Sequence, residues 1–137
     1  MAINRFGGCL CSAVCFKISN GIRSIVYCPC SECRKAQGSA FACNGVVNRD
    51  DFEIHSGRDA ISTYQYTSVQ QKHFCRFCGS PVMSTSSTVP DFVRIRLGTI
   101  ESDISEQPVA HIFRNSKANW EQICGDLPQY DSYEPGR

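Results

Sequence analysis

The sequence predicts an all-β domain with little helix, and three observations carry that prediction. Apolar residues recur with period two in short stretches, of which Val14/Phe16/Ile18 and Val93/Ile95/Leu97 are the clearest. Turn signals such as Asn20-Gly21 and Ser56-Gly57 separate the stretches. Of ten cysteines, seven fall into short-spaced groups, a means of bracing a β-domain whose core is modest.

Taken in order, Val14, Phe16 and Ile18 alternate with Cys15, Lys17 and Ser19, and Ile22 to Tyr27 reads as the returning strand of a hairpin turned at Asn20-Gly21. Ser31 to Ala36 is expected to form one helical turn capped by Ser31. Phe41 to Val47 reads as a strand, as does the stretch in which Phe52 and Ile54 alternate with Glu53 and His55. Thr63–Tyr66 and Lys72–Phe74 read as a hairpin leading into Cys75-Arg76-Phe77-Cys78-Gly79, a knuckle-like turn. Pro81 to Met83 continues as a short strand, and Ser84 to Pro90 as a Ser/Thr-rich loop. In Phe92–Leu97, Val93, Ile95 and Leu97 share one face, Arg94 and Arg96 the other. Ser116 to Ile123 is expected to form a short helix carrying Trp120, and 126–137 an irregular, frayed tail.

At 137 residues the chain is most simply one domain, 1–137, with its core over about 5–120. Hydrophobic (42%) and charged (20%) fractions argue against disorder. A formal charge of +1 gives no general attraction to nucleic acid or an anionic membrane. Seven thiolates (−7) and two Zn²⁺ (+4) would take that charge to −2, further against a nucleic-acid role. Residues 1–5 hold no signal-like apolar run, and no segment is long enough to span a bilayer. The expected setting is soluble, reducing and cytoplasmic, where cysteines serve as thiols or metal ligands. The competing reading, a secreted disulfide framework, is weakened because Cys-x-Cys pairs cannot bridge internally.

Four cysteines plus three is the arithmetic of one closed zinc site and one open one. Cys9, Cys11, Cys75 and Cys78 suit a structural clamp whose metal-binding free energy becomes folding free energy. Cys28, Cys30 and Cys33 leave a fourth position for water or a substrate atom, and three thiolates favour holding a thiolate over generating hydroxide. Two other readings of the trio stand: closure by Cys43, or a redox pair at Cys30 and Cys33. Cys15, Cys43 and Cys124 read as small buried apolar residues, with partial exposure open to Cys15. His73 and His111 read as structural and stay off the ligand set.

Gly7-Gly8-Cys9-Leu10-Cys11, Cys28-Pro29-Cys30-Ser31-Glu32-Cys33-Arg34-Lys35, Gly38-Ser39-Ala40-Phe41, Phe74-Cys75-Arg76-Phe77-Cys78-Gly79-Ser80-Pro81 and Val93-Arg94-Ile95-Arg96-Leu97-Gly98-Thr99 resemble the glutathione-dependent formaldehyde-activating enzymes, a family that includes the centromere protein V type. The match runs from about Arg5 to Trp120, taking in His111-Ile112-Phe113 and Ser116-Lys117-Ala118-Asn119-Trp120. The resemblance implies a β-tent of small antiparallel sheets, structural zinc on Cys9, Cys11, Cys75 and Cys78, and catalytic zinc on Cys28, Cys30 and Cys33. It implies a carbon–sulfur lyase in which glutathione, as co-substrate, adds to formaldehyde. Arg34, Lys35, Arg94 and Arg96 are the candidate partners of its carboxylates. Ser39 is a further candidate contact, and Ser31, Ser39 and Ser80 are candidate proton donors. The alternative is a non-catalytic zinc-stabilised β-module that binds a protein partner.

Overall fold

The structure, a computed structural model, describes residues 3–137, so the first two residues of the expected 1–137 domain and of the leader reading lie outside the described residues. Those residues carry ten strands and one α-helix, mostly β as the alternation predicts. Strands β1 (Arg5–Gly8), β2 (Cys15–Ile18) and β5 (Phe52–Ser56) form a small antiparallel sheet in the order β1-β2-β5. The larger sheet contains β3 (Arg23–Cys28), β4 (Ala42–Asn48), β6 (Ile61–Gln65), β7 (Gln70–Cys75), β8 (Pro81–Ser86), β9 (Phe92–Arg96) and β10 (Ala110–His111). Its order is β10-β3-β4-β9-β8-β7-β6. All its pairings are antiparallel except β10 on β3.

Period-two alternation places Phe16, Ile18, Val47, Val82, Val93 and Ile95 in one core between the sheets, each at most 2% exposed. A second apolar group, Val26, Cys28, Ala110 and Ile112, lies under the β3–β10 edge. The expected hairpin Thr63–Tyr66/Lys72–Phe74 is the β6–β7 pair, with Thr63 opposite His73.

Four expectations are corrected. The Asn20-Gly21 turn does not close a hairpin: β2 pairs with β1 and β5, whereas β3 pairs with β4 and β10. Asn20 instead gives its side-chain amide to Asp51 and its carbonyl to Arg5, so the turn passes the chain from one sheet to the other. Ser84 to Ser86 extends β8 into the stretch read as loop, because Ser84 pairs with Arg94 on β9. Residues 117–123 are not helical, and Trp120 is exposed; only a 3-10 turn at Arg114–Ser116 forms. The tail is not frayed: His111 bonds to the Pro128 carbonyl, Tyr130 packs against the second apolar group, Tyr133 meets Phe113 edge-on, and Glu134 is buried.

One ion pair ties the start of the fold to a late loop. Buried Arg5 donates to Glu106 at 2.7 Å, and Glu106 also accepts the Ile22 N–H at 2.8 Å. Burial alone pushes the Glu106 carboxyl up, but the Ile22 N–H and the Arg5 charge outweigh it and hold it below the usual carboxylate range. A depressed carboxyl contributes stability that is present above its unfolded value, about pH 4.3, and lost as pH falls through the lower folded one. Glu106→Gln is therefore expected to cost about 2 kcal/mol at pH 7 and to flatten the acid limb below pH 4.3. Urea melts across pH 2–7 measure both; an unchanged acid limb in the variant would refute the assignment.

Gly57 marks a second such point. It sits at φ 85°, and a Cβ there would overlap the Ala13 carbonyl that leads into β2. Gly57→Ala is expected to lower stability by about 3 kcal/mol, read as a denaturation midpoint. A loss below about 1 kcal/mol would show that the loop gives way.

Candidate metal centres and the cavity beside them

The loop after β1 and the turn after β7 bring Cys9, Cys11, Cys75 and Cys78 together, their sulfurs all within 4.8 Å of one another. Cys11 Sγ lies 3.7 Å from both Cys9 Sγ and Cys75 Sγ. A tetrahedral Zn²⁺ with Zn–S bonds of about 2.3 Å needs sulfur–sulfur edges of about 3.8 Å, so the spacing fits the ion. The surrounding backbone fits thiolates as well. Val14 N–H donates to Cys9 Sγ at 3.2 Å, and Ser80 Oγ lies 3.3 Å from Cys78 Sγ while accepting the Leu10 N–H. The Ser80 hydroxyl and N–H hold Cys78 down at about 5, against burial. The knuckle itself closes through Gly79 N–H to the Cys75 carbonyl, with Gly79 at φ 78°.

The second group arises where β3 runs into the helix α1 (Ser31–Gln37). Cys28 is the last residue of β3, Cys30 is the residue before the helix, and Cys33 lies one turn on, so Cys30 and Cys33 share a face. Their three sulfurs also lie within 4.8 Å of one another. Ser31 is not the cap; it is the first helical residue, Cys30 takes the cap position without a side-chain bond, and the helix runs to Gln37. It ends on Gly38 in the left-handed conformation, φ 65°.

Cys28 and Cys33 share a hydrogen bond that pushes Cys28 up and, with Cys30, Lys72 and Arg96, holds Cys33 down at about 6 despite its burial. Cys30 is raised, burial first. One thiolate shared among three sulfurs next to two cations is a ready donor set for a soft cation. A cavity of about 320 Å³ opens over the trio, with Glu32, Tyr66, Lys72 and Arg94 in its walls. Arg96 is only 6% exposed; among the described residues its Nε has no hydrogen-bond partner, and its Nη1 donates to Ser84 Oγ at 3.4 Å. Among the described residues, Lys72, Arg94 and Arg96 have no carboxylate within ion-pair distance. A buried guanidinium without a counter-ion is costly, and the negative charge facing Arg96 is that of the cysteines.

The other expected residues divide. Arg94 lines the cavity, but Arg34 spends its guanidinium on the carbonyls of Pro29 and Ser116, bracing α1 against the late 3-10 turn. Lys35 and Ser39 are not in the cavity wall; Ser39 donates to the Phe41 carbonyl at 2.6 Å. Ser31 bonds to Glu32, and Ser80 belongs to the four-cysteine group, so none of the three serines faces the trio cavity. Cys43 does not join the trio; it packs at the edge of the main core, and burial raises it to about 11. Cys15 is half-buried, and Cys124 is exposed rather than buried because the segment around it forms no packed element. His73 engages Thr63 and Thr85 through both ring nitrogens at 2.9 Å, and His111 stacks on Tyr27, so both are structural.

Sequence reasoning missed Lys72, Tyr66 and Glu32. Alternation along β7 puts Lys72 and His73 on opposite faces, but only the sheet order brings that strand alongside the trio.

A family model described as glutathione-dependent formaldehyde-activating enzyme matches residues 4–116. A Halomonas elongata protein provisionally named a glutathione-dependent formaldehyde-activating enzyme is 32% identical over 125 residues, spanning 85% of this chain and 79% of that protein. The crystal structure of a Rhodobacter sphaeroides protein superimposes with a TM-score of 0.63 at 22% identity, covering 90% of this chain and 98% of the other, a likeness of fold. No helix among the described residues is long and apolar enough to cross a membrane.

Proposed function

The chain belongs to the family of glutathione-dependent formaldehyde-activating enzymes, and from that premise we propose that it is a cytoplasmic zinc-dependent carbon–sulfur lyase joining glutathione to formaldehyde or a related small aldehyde. The two sheets meeting at the four-cysteine group support the β-tent reading, with structural zinc on Cys9, Cys11, Cys75 and Cys78. The observation that carries the catalytic reading is the second group: Cys28, Cys30 and Cys33 open onto a cavity in whose wall Lys72 and Arg94 have no carboxylate within ion-pair distance among the described residues.

Cys28, Cys30 and Cys33 would hold a zinc ion whose charge would favour a substrate thiol as thiolate. Arg96 and Lys72 offset the negative charge that gathers there, and Arg94 attracts a substrate carboxylate. The substrate sulfur forms the new bond to the aldehyde carbon, the carbon–oxygen π pair moves to oxygen, and the thiol's proton ends on that oxygen. Lys72 Nζ is the group that carries this proton. It lies 4.9 Å from the Tyr66 ring centroid, and burial and Arg96 lower it from the usual lysine range, toward the range of a working acid. Tyr66, raised by burial and by Glu32, keeps its own proton. The reverse reaction returns the proton to Lys72 and frees the aldehyde.

Calorimetric titration of the zinc-loaded chain tests the reading, with reduced and oxidised glutathione, a Cys30→Ser variant and zinc content measured on every sample. Saturable binding of the reduced form alone, lost in the variant while one zinc remains, is the expected result. Absence of binding by the fully loaded protein would sink the glutathione assignment and favour the protein-binding alternative. Lys72→Met is expected to lower the rate of adduct formation by about 10²-fold with little change in glutathione affinity; an unchanged rate would remove Lys72 from the reaction.

A further inference from the structure

A second cavity, of about 350 Å³, adjoins the one over the trio, and Ser84, Thr85, Arg94 and Arg137 line both. The two therefore lie side by side across β8 and β9, with Arg94 between them. At the far end of the second cavity the Arg23 guanidinium carbon lies over the Phe92 ring, 4.3 Å from the centroid. The backbone there is set in an unusual way. The β3–β4 register shifts between Arg23 and Val26, and Ser24 stands in the left-handed region at φ 51°. Both residues line the cavity, as expected of a bulge that re-aims side chains.

The charges of the two chambers differ. Among the described residues the far chamber has the side chains of Arg23, Arg94 and Arg137 in its wall and no Asp or Glu side chain, whereas the trio chamber contains Glu32. Arg137 is already paired with Glu134, but Arg23 and Arg94 have no carboxylate within ion-pair distance among the described residues. A thiol peptide with a zwitterionic γ-glutamyl end and a simple carboxylate at its glycyl end sorts itself across two such chambers. The ammonium needs an acid and belongs with Glu32; the glycyl carboxylate needs only cations. We infer that the second cavity is the subsite for the glycyl carboxylate of the thiol substrate, with Arg23 as its anchor and Arg94 at the junction.

The inference rests on the glutathione reading above, and the experiment separates the two. The zinc-loaded chain and its Arg23→Gln and Arg23→Glu variants are titrated calorimetrically with reduced glutathione, its glycyl ethyl ester, and γ-glutamylcysteine. Arg23 is exposed, and thermal melts check that both variants fold. Arg23→Gln is expected to weaken glutathione binding about tenfold, as for one charge-assisted contact, and Arg23→Glu to weaken it further. The ester and γ-glutamylcysteine, which lack the glycyl carboxylate, are expected to bind all three proteins alike. Unchanged glutathione affinity in both variants, or equal losses for γ-glutamylcysteine, overturns the subsite and leaves the glutathione reading standing. Failure of the parent protein to bind glutathione overturns both.

Discussion

Replacing Cys75 by serine is expected to abolish the cooperative fold at 25 °C. The Cys75 sulfur is fully buried at the end of β7, 3.7 Å from Cys11, and the side chain is also part of the main core. Structural zinc in small cysteine sites contributes on the order of 10 kcal/mol, and a domain's whole stability is about 5–15 kcal/mol. Losing one of four thiolates would therefore remove a contribution comparable to the domain's whole stability, leaving the apolar core alone to hold the two sheets. Circular dichroism melts with zinc analysis measure the effect. A variant that still melts cooperatively within about 2 kcal/mol of the parent would show that the clamp is not a folding element.

Cys33→Ser is expected to do the opposite: leave the fold and silence the site. Cys33 belongs to a short helix that adds nothing to the main core, so the melting temperature should move by less than about 4 °C. Of the trio's three sulfurs its own is the one held as thiolate, by Cys28 first and then by Cys30, Lys72 and Arg96. Without it the donor set falls to two sulfurs. Adduct formation should drop by at least about 10²-fold, and bound zinc should fall from two ions per chain to one. Full zinc content together with parental activity would contradict the division of the cysteines into two centres.

That division was legible in the sequence because cysteine spacing is a local property. Cys28, Cys30 and Cys33 converge through a strand end and one helical turn, and the Cys75-x-x-Cys78-Gly turn closes on itself. The core strands were legible for the same reason: alternation at Phe16/Ile18 and Val93/Ile95 records which face is buried. Partnership between distant strands was not. Asn20-Gly21 has the chemistry of a hairpin turn, yet β2 and β3 part company there, β2 pairing with β1 and β5 and β3 with β4 and β10. Arg96 alternates as an exposed residue would, and only the sheet's passage over the trio buries it. Lys72 escaped notice because nothing near it in the chain points to Cys33. The tail carries proline and glycine but no period, so its docking through Tyr130, Tyr133 and Glu134 left no trace in the sequence.

The two cysteine groups differ in how far apart their members lie along the chain. Cys28 to Cys33 is one local turn, whereas Cys11, in the loop between β1 and β2 of the small sheet, is 64 residues from Cys75 at the end of β7 in the large one. An ion held by the trio would be released when one turn of helix loosens, whereas release from the clamp would uncouple segments from both sheets. A chelator added in increasing amounts should therefore take activity well before structure, and restored zinc should return activity at once. On the proposed function, such a protein in a cell short of zinc would persist as a folded, idle pool and resume work without new synthesis when the metal returns.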